Sequence, residues 1–408
     1  MINFDYLYDK SHYGNELAVN HRKDDNLHWK VIPGGIILPH DERYSEVYGG
    51  IIDENREYID GSGLHRGMEQ DYDVTEEEIG ECDEDIVFLG VWVSFVWGHC
   101  LTDNIRRLWV LDNEEFMEKY GHLRFIYVPS FNVDPDGNFN HLLKILGIDV
   151  IELESISEVT RFRNIILPDE CFWREDDGAR FFTEDYVALI DKIRSYGKEH
   201  FKEITDKKIY FSYKKFPAYR TIGERRIERF FTEIGFKIIY PEEYTFKEQL
   251  NILLNCEEFA STVGSAAHNI IFLRDGTKAY LIPRANFITE YQLALDQVHE
   301  LDVTYIDSTL SFYVNPERKW EGPFYYLISH NLEECFNHQC KSKYYKFDFY
   351  VYRHLGYAMN KVSEVPDYYK KVYKKYISAN PEWEGKENWI TRFCEKPKNR
   401  KLISEWFG

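Results

Sequence analysis

The chain has 408 residues, more than the roughly 250–300 residues at which a single hydrophobic core usually stops growing, so we expect two folding units. Hydrophobic residues make up 44% of the chain and aromatic residues 17%, which is enough for a sizeable core. The 70 acidic and 50 basic residues give a formal charge of −20, which repels a phosphate backbone and disfavours nucleic acid as a partner.

The N-terminal segment and the cysteines indicate the compartment. The first residues, "MINFDYLYDKSHYGNELAVN", lack the basic start and apolar run of a signal peptide, and no apolar stretch approaches about 18 residues. Seven cysteines are scattered from Cys82 to Cys394 without a framework spacing, which is typical of free thiols in a reducing compartment. We therefore expect a cytoplasmic protein.

The N-terminal unit is predicted to span residues 1–205. Residues 1–80 are polar and acidic, which predicts short strands and loops. From Asp85 onward, apolar runs alternate with helical segments in the order "IVFLGVWV", "GHCLTDNIRRLWVLD", "RFIYV", "FNHLLKILG", "VIEL" and "NIILP". This alternation predicts an α/β unit with a mainly parallel sheet, closed by a long helix from Thr183 to about Ile204.

The segment "WGHCLTDNIRRLW" predicts an amphipathic helix with a polar face. His99, Asp103 and Arg106 are spaced four and three residues apart, so they share one face of that helix. An imidazole beside a carboxylate can act as a general base, with Asp103 fixing the tautomer of His99. The alternative is an amphipathic helix with a surface string of polar residues. We expect Arg107 to brace this helix or its ligand.

A second unit is predicted over residues 206–308. It reads as strand "KIYFSY", helix Ile222–Ile234 closed by Gly235, strand "FKIIY", helix Phe246–Leu254 and strand "FASTV". Three successive strand–helix repeats are typical of a Rossmann-like nucleotide-binding unit.

The stretch "VGSAAHNIIFL" follows the last of these strands and is a candidate phosphate site. Gly264 lets a ligand approach the backbone, Ser265 can cap the following helix, and His268 can donate to a diphosphate oxygen, with Asn269 beside it. No G-x-G-x-x-G fingerprint is present. The alternative is a turn in which the glycine serves only the backbone and His268 is half-buried.

A basic loop lies earlier in the same unit, in "YFSYKKFPAYRTIGERRIERFF". Lys214, Lys215 and Arg220 follow a strand and precede a helix in a chain that is otherwise acidic. Arginine offers a planar fork of donors to phosphate oxygens, so we expect this loop to clamp a diphosphate.

Two glutamates near this region fit capping boxes. Thr221 with Glu224, and Thr245 with Glu248, each match the Thr-x-x-Glu pattern of a helix start. Both glutamates could therefore be purely structural.

Metal signals are weak, and we predict no metal. The residues that could supply nitrogen and sulfur ligands do not match the usual paired spacing: His330, Cys335, His338 and Cys340. The Asp-x-Asp pairs at Asp83–Asp85 and Asp134–Asp136 are better explained as residues of turns and loops.

Residues 309–408 are aromatic and basic and predict a helical extension that packs back on the units. The segment "YYKKVYKKY", from Tyr368 to Tyr376, combines lysines with amphipathic tyrosines, so peripheral contact with a membrane is expected. The alternative is a tyrosine face packed on the first unit with solvated lysines.

In this order the segments resemble glycosyltransferase family 61, found in bacterial capsule and exopolysaccharide clusters. The similarity covers most of residues 85–283, from "GHCLTDNIRRLW" to "STVGSAAHNIIF". The most specific positions are Arg220 and Glu224, Glu248 and Gln249, and the set Gly264, Ser265, Asn269 and Phe272. Where many members have His-Gly-Ala-Gly, this chain has Val263-Gly264-Ser265-Ala266, and its histidine is His268.

The resemblance implies a GT-B architecture of two facing Rossmann-like lobes with a C-terminal helical extension. It implies metal-independent transfer, with inversion, from a nucleotide-diphosphate sugar, for which we expect a UDP-linked donor, to a glycan acceptor that is often lipid-linked. The acceptor would bind residues 1–205 and the donor residues 206–308. The residues expected to hold the donor are Lys215, Arg220, Glu248, Gly264, Ser265, His268 and Asn269.

The base should face the departing nucleotide from the other lobe, so His99 or Asp103 is the candidate, with either one as the base itself. The predicted function is thus an inverting glycosyltransferase of bacterial cell-surface polysaccharide biosynthesis. Two alternatives remain: a non-catalytic glycan- or nucleotide-sugar-binding protein, and a polysaccharide-modifying transferase such as a pyruvyl transferase.

Overall fold

The computed structural model has a mixed α/β fold, as predicted. It describes residues 1–7, 19–41, 47–67, 70–175, 178–213, 221–284, 288–309, 324–326 and 328–339. The basic loop over 214–220 and most of the predicted extension, including its "YYKKVYKKY" segment, lie outside the described residues.

The strands of the described residues fall mainly into two sheets. In chain order they are β1 Ile2–Tyr6, β2 Trp29–Pro33, β3 Ile36–Leu38, β4 Gly50–Ile52, β5 Gly80–Trp92, β6 Arg124–Pro129, β7 Glu152–Ser155, β8 Thr160–Pro168, β9 Phe172–Arg174, β10 Arg180–Phe182, β11 Lys208–Phe211, β12 Thr221–Ile222, β13 Lys237–Ile239, β14 Glu258–Thr262, β15 Lys278–Ile282, β16 Asp302–Ile306 and β17 Phe324–Tyr325.

The α-helices of the same residues are mostly short. They are α1 Trp97–Leu101, α2 Glu114–Tyr120, α3 Gly137–Ile145, α4 Glu184–Glu199, α5 Glu224–Glu233, α6 Phe246–Asn255, α7 Glu290–Leu295 and α8 His330–Cys335. None of these helices combines the length and the apolar character needed to cross a bilayer.

The first sheet, which we call the mixed sheet, is built around β5. Its strand order is β4-β3-β8-β5-β6-β7, with β2 also paired to β8. The strand β5 is parallel to β6 and β8, whereas β2, β3 and β4 run antiparallel to their neighbours. The second half of β5 is fully buried, which accounts for its continuous apolar run "IVFLGVW".

The second sheet, which we call the parallel sheet, has the order β1-β16-β15-β14-β11-β13, and all its pairs are parallel. Along the chain from β11 the order is doubly wound, because β13 lies on one side of β11 and β14 on the other. Its edge strand, Ile2–Tyr6, belongs to residues that the sequence placed with the first unit.

A continuous buried core joins the two sheets. Ile209 and Phe211 of β11 face this core with α4 and α6, while Tyr210 faces the opposite side, where α5 packs. The same core includes Val87 and Leu89 of β5. The two sheets are therefore held through shared apolar packing as well as through the chain.

One predicted helix is wrong in its extent. The segment "GHCLTDNIRRLWVLD" was expected to be one amphipathic helix, but α1 ends at Leu101 and a 3₁₀ helix begins only at Leu108. The chain turns between them because Asn104 Oδ1 accepts from Val93 N–H at 3.0 Å and Arg106 and Arg107 point into the interior. These buried polar contacts outweigh local helix preference.

We predict that Gly197 is required for the packing of α4 on α6. A Cβ at this position would lie 2.7 Å from Leu250 Cδ2 and would also collide with Leu254. Gly197→Val should therefore lower the free energy of unfolding by about 1–3 kcal/mol relative to Ser195→Val on the exposed face of the same helix. Urea denaturation of both variants measures this difference, and equal stabilities would show that α4 and α6 are not packed closely here.

Candidate functional site

Helix α1, which follows β5 of the mixed sheet, contacts residues that follow β14 of the parallel sheet. It begins at Trp97, shortly after β5 ends at Trp92. A Cβ at Gly98 would lie 3.0 Å from Nδ1 of His268 and 3.2 Å from Oγ of Ser265. Predicted residues from the two sheets therefore meet at one place, beyond the carboxyl ends of β5 and β14.

His99 and Asp103 form a close pair at this junction. Nδ1 of His99 lies 2.6 Å from Oδ2 of Asp103, even though α1 has already ended between them. Thr102 Oγ1 also donates to Oδ2 at 2.9 Å, and the hydroxyl of Tyr291 in α7 donates to the carboxylate at 3.0 Å. Asp103 is thus fixed by hydrogen bonds from both sides of the junction.

The charge of Asp103 is stabilised although the side chain is only 3% exposed. Burial by itself would raise the pKa of this carboxyl, but the hydrogen bond from the His99 ring and the positive charge of Arg180 hold the pKa below its ordinary value. Asp103 is therefore a carboxylate that can orient His99 and stabilise a proton on it.

His99 and Asp103 differ in how far they can be reached from outside. The side chain of His99 is 28% exposed, whereas that of Asp103 is 3% exposed. Because Nδ1 faces Asp103, Nε2 is the nitrogen of His99 left for another group.

Arg106 and Arg107 form a buried ionic cluster, and Arg106, which was predicted to share a face with His99 and Asp103, lies 3.8 Å from Oδ1 of Asp103. Glu170 Oε1 lies 3.1 Å from Arg106 Nη2 and 3.2 Å from Arg107 Nη2. Arg106 donates to the Leu64 carbonyl at 2.7 Å, and Arg107 donates to the Pro168 carbonyl at 2.9 Å. The prediction that Arg107 braces this segment fits its contacts, since it ties the turn after α1 to β8.

The turn after β14 forms the other half of the site. Gly264 has a φ of +147°, which only glycine adopts readily. The Ala266 N–H donates to the hydroxyl of Tyr213, and Asn269 Nδ2 donates to the Ala266 carbonyl at 2.9 Å. Trp97 Nε1 donates to Asn269 Oδ1 at 3.1 Å, so Asn269 braces the turn against α1.

His268 lies near His99, in a 3₁₀ helix, Ala267–Phe272, that follows this turn. It is 8% exposed, its Nδ1 is buried with no hydrogen-bond partner among the described residues, and its ring stacks 6.3 Å from that of Tyr291. Burial, with the nearby charges of His99 and Arg284, lowers the pKa of His268 to about 3. His268 is therefore more deeply buried than the alternative interpretation expected, and a neutral imidazole faces the junction.

Arg284 supplies a cation at Gly264 that sequence reasoning missed. A Cβ at Gly264 would lie 2.7 Å from Arg284 Nη1, so the guanidinium rests directly on the glycine backbone. The guanidinium also stacks on Tyr213, 4.2 Å from the ring centroid. Burial alone would lower the pKa of Arg284, but Tyr213, Tyr326 and Glu224 raise it above the ordinary value.

The capping-box interpretation is wrong for Glu224. The residue before α5 is Gly223, with a φ of +92°, and Glu224 is buried with its Oε1 accepting from the Tyr210 hydroxyl at 2.5 Å. Burial raises the pKa of Glu224 to about 7. Glu224 therefore lies buried against Tyr210, near Arg284, and does not cap α5.

The capping-box interpretation is confirmed for Glu248. Its carboxylate accepts from Thr245 N–H and from Thr245 Oγ1, each at 2.8 Å, at the exposed start of α6. The structure thus joins His99 and Asp103 to Ser265, His268 and Asn269, while the carboxylate of Glu248 is committed to its cap.

Other predicted residues fall outside this junction. Lys214, Lys215 and Arg220 lie outside the described residues, as does Cys340. His338 Nε2 is 3.2 Å from Glu233, and the Tyr127 hydroxyl donates to Asp134 at 2.7 Å. Within the described ranges, no cluster of three His, Cys, Asp or Glu side chains is arranged to hold a metal ion.

Comparison with protein families bears on the same region. Residues 97–280 match the family model of Glycosyltransferase 61. The match supports a glycosyltransferase. It begins in α1, ends in β15, and includes His99, Asp103, Gly264 and His268. A glycosyltransferase binds a sugar donor and an acceptor. A separate comparison with curated proteins found no match.

Four residues of the junction were missed from the sequence: His65, Arg180, Arg284 and Tyr291. Arg284 follows the strand "KAYLI" at its carboxyl end, where a site residue of a parallel sheet is expected, so the sequence did contain a signal for it. The other three reach the junction from distant segments and carry no local pattern.

We predict that the neutral histidines make the fold sensitive to acid. Burial lowers the pKa of His65 to about 3, as it does for His268, whereas an unperturbed imidazole titrates near 6.5. The unfolded chain therefore binds more protons below pH 6.5, so stability falls as the pH falls, by about 2 kcal/mol per histidine between pH 7 and 5.

The test is urea denaturation at pH 7 and 5 of the wild type and of the His65→Gln and His268→Gln variants. Each variant should lose less stability on acidification than the wild type does. If the three proteins lose equal stability, the two imidazoles are not held neutral by the fold.

Proposed function

We propose that the chain is an inverting, GT-B-type, metal-independent glycosyltransferase that moves a sugar from a UDP-linked donor to a glycan acceptor in bacterial cell-surface polysaccharide synthesis. The observation that carries this proposal is the junction at Gly98, where the His99–Asp103 pair meets the Gly264–His268 turn. Glycosyl transfer needs a base for the acceptor hydroxyl close to a site for the donor diphosphate. The region that matches the family contains both the His99–Asp103 pair and the Gly264 turn.

The topology of the parallel sheet supports a donor site at the Gly264 turn. In doubly wound sheets, nucleotides bind outside the carboxyl ends of the strands where the strand order reverses. Here that position lies between β11, which leads to Tyr213, and β14, which leads to Gly264. The hydrogen bond from Ala266 N–H to Tyr213 spans it.

In this proposal, Arg284 is the cationic side chain that binds the diphosphate. Its guanidinium lies on Gly264, which has no side chain to keep a phosphate away. As the bond from the sugar to the diphosphate breaks, negative charge develops on the leaving oxygen, and a preorganised guanidinium stabilises that charge. Lys215 and Arg220, which follow β11 in the sequence, would add to it.

His99 is the base in this proposal, with Asp103 as its orienting carboxylate. His99 is the more exposed partner, and its Nε2 is left free by the contact of Nδ1 with Asp103. The acceptor oxygen forms its bond to the anomeric carbon as the carbon–diphosphate bond breaks. The proton of the acceptor hydroxyl passes to Nε2 of His99, and the electron pair of the broken bond leaves with UDP.

We predict that Arg284→Ala weakens UDP binding by about 1.5–3 kcal/mol, because a charge-assisted hydrogen bond to the diphosphate is lost. Titration calorimetry with UDP measures the affinity, and Arg284→Lys should recover part of it. Arg274→Ala, an exposed arginine of the same unit, is the control and should bind UDP as the wild type does. Unchanged affinity in Arg284→Ala would remove this residue from the donor site.

We predict that His99→Ala lowers the transfer rate by about 10²–10⁴-fold, the usual cost of losing a general base. Its UDP affinity should stay close to that of the wild type, because the nucleotide is bound from the parallel sheet. Turnover at saturating donor and acceptor measures the rate, with His141→Ala as the control.

Asp103→Asn separates the two candidate bases. If His99 is the base, the Asp103→Asn variant keeps part of the activity that His99→Ala loses, since a weakened orienting group still leaves an imidazole. If Asp103→Asn is the more damaging change, Asp103 is the base. Near-normal turnover in both variants would contradict a catalytic role for the pair.

A further inference from the structure

The mixed sheet carries a second concave site, away from the Gly264 turn. A cavity of about 780 Å³ lies between β2, the end of β8 and the segment 58–61. This volume is in the range of small-ligand sites. Its wall includes Lys30, Val31 and Trp173, and its deepest members are Arg107 and Glu170, which are 1% and 2% exposed.

Two buried polar atoms at this cavity lack hydrogen bonds within the described part of the chain. They are Glu170 Oε2 and Arg107 Nη1. Arg66 Nε lies 3.4 Å from Glu170 Oε2 but does not hydrogen-bond to it. A buried polar atom without a hydrogen bond is costly, and a bound group that supplies the hydrogen bond is one explanation for such an atom.

The chemistry of the two atoms selects the group. Glu170 Oε2 can only accept a hydrogen bond and Arg107 Nη1 can only donate one. A hydroxyl does both, so a ligand with several hydroxyls matches the donors and acceptors of the residues that line this cavity.

The rest of the lining is similarly balanced. The ionisable side chains at the cavity are four acids and three bases: Asp25, Asp60, Asp169, Glu170, Lys30, Arg66 and Arg107. Mixed acceptors and donors with nearly cancelling charge suit a neutral ligand with many hydroxyls. Trp173 and Tyr58 add aromatic surface, on which the C–H faces of a sugar ring can pack.

The cavity is tied to the catalytic pair through one layer of side chains. Glu170 lies 3.1 Å from Arg106, and Arg106 Nη1 lies 3.8 Å from Asp103. The segment that lines the cavity with Gly61 continues to His65, which is 4.0 Å from Asp103. A ligand in the cavity is therefore held by the same rigid elements that hold the base.

We propose that this cavity binds neutral sugar units of the acceptor glycan, at a distance from the hydroxyl that reacts. The identification of this glycan as the acceptor rests on the proposed function. The binding chemistry rests on the cavity itself. It gives the enzyme a preference for longer acceptors, because each bound sugar unit adds contacts without entering the reaction.

The test uses Val31→Arg, which places a long side chain at the cavity from an exposed position on β2. Val150→Arg, at an exposed valine that does not line the cavity, is the matched control. The probes are four neutral tetrasaccharides, one each of glucose, galactose, mannose and N-acetylglucosamine. Their binding is measured by saturation-transfer NMR. UDP affinity is measured for each protein by calorimetry.

We expect at least one neutral tetrasaccharide to bind the wild type and Val150→Arg, and to bind Val31→Arg at least fivefold more weakly, with UDP affinity equal in all three. If no neutral tetrasaccharide binds, if Val31→Arg binds it equally, or if only an anionic oligosaccharide such as oligogalacturonate binds, the cavity is not this site. Failure of the wild type to bind UDP would instead contradict the donor site and leave the saccharide result to stand by itself.

Discussion

The close approach of Gly98 to the side chains of His268 and Ser265 is the constraint on which the site depends. A Cβ at position 98 would lie 3.0 Å from the imidazole of His268 and 3.2 Å from the hydroxyl of Ser265, which is closer than an ordinary contact, so a glycine here lets the pair after β5 and the turn after β14 approach closely. The hydrogen bond from Trp97 to Asn269 fixes the same contact from the next position. The shared core between the sheets makes this arrangement rigid.

Charge is distributed unevenly across this junction. Asp103 keeps its negative charge because the hydrogen bond from His99 and nearby cations outweigh the cost of burial, while His65 and His268 lose their protons to burial. The net result is a carboxylate–imidazole pair on one side and an arginine, Arg284, on the other. Such a separation suits a reaction that takes up a proton on one side and releases an anion on the opposite side.

The sequence predicted the α/β alternation and the contact of His99 with Asp103, since a spacing of four residues is close in a single helical turn. It could not predict that the helix ends at Leu101, because the cause is burial of Arg106 and Arg107 against Glu170, far along the chain. Pairing of β1 with β16 and the bond from Tyr291 to Asp103, 188 residues apart, likewise have no local signal.

A crystal structure of the protein with UDP tests most directly whether the donor and the base share one site. We expect the diphosphate to lie on the Gly264–Ser265 turn within hydrogen-bonding distance of Arg284, with the imidazole of His99 facing it across the junction. A diphosphate bound elsewhere, for instance in the cavity beside Glu170, or one turned away from His99, would contradict the claim that donor and base share this site.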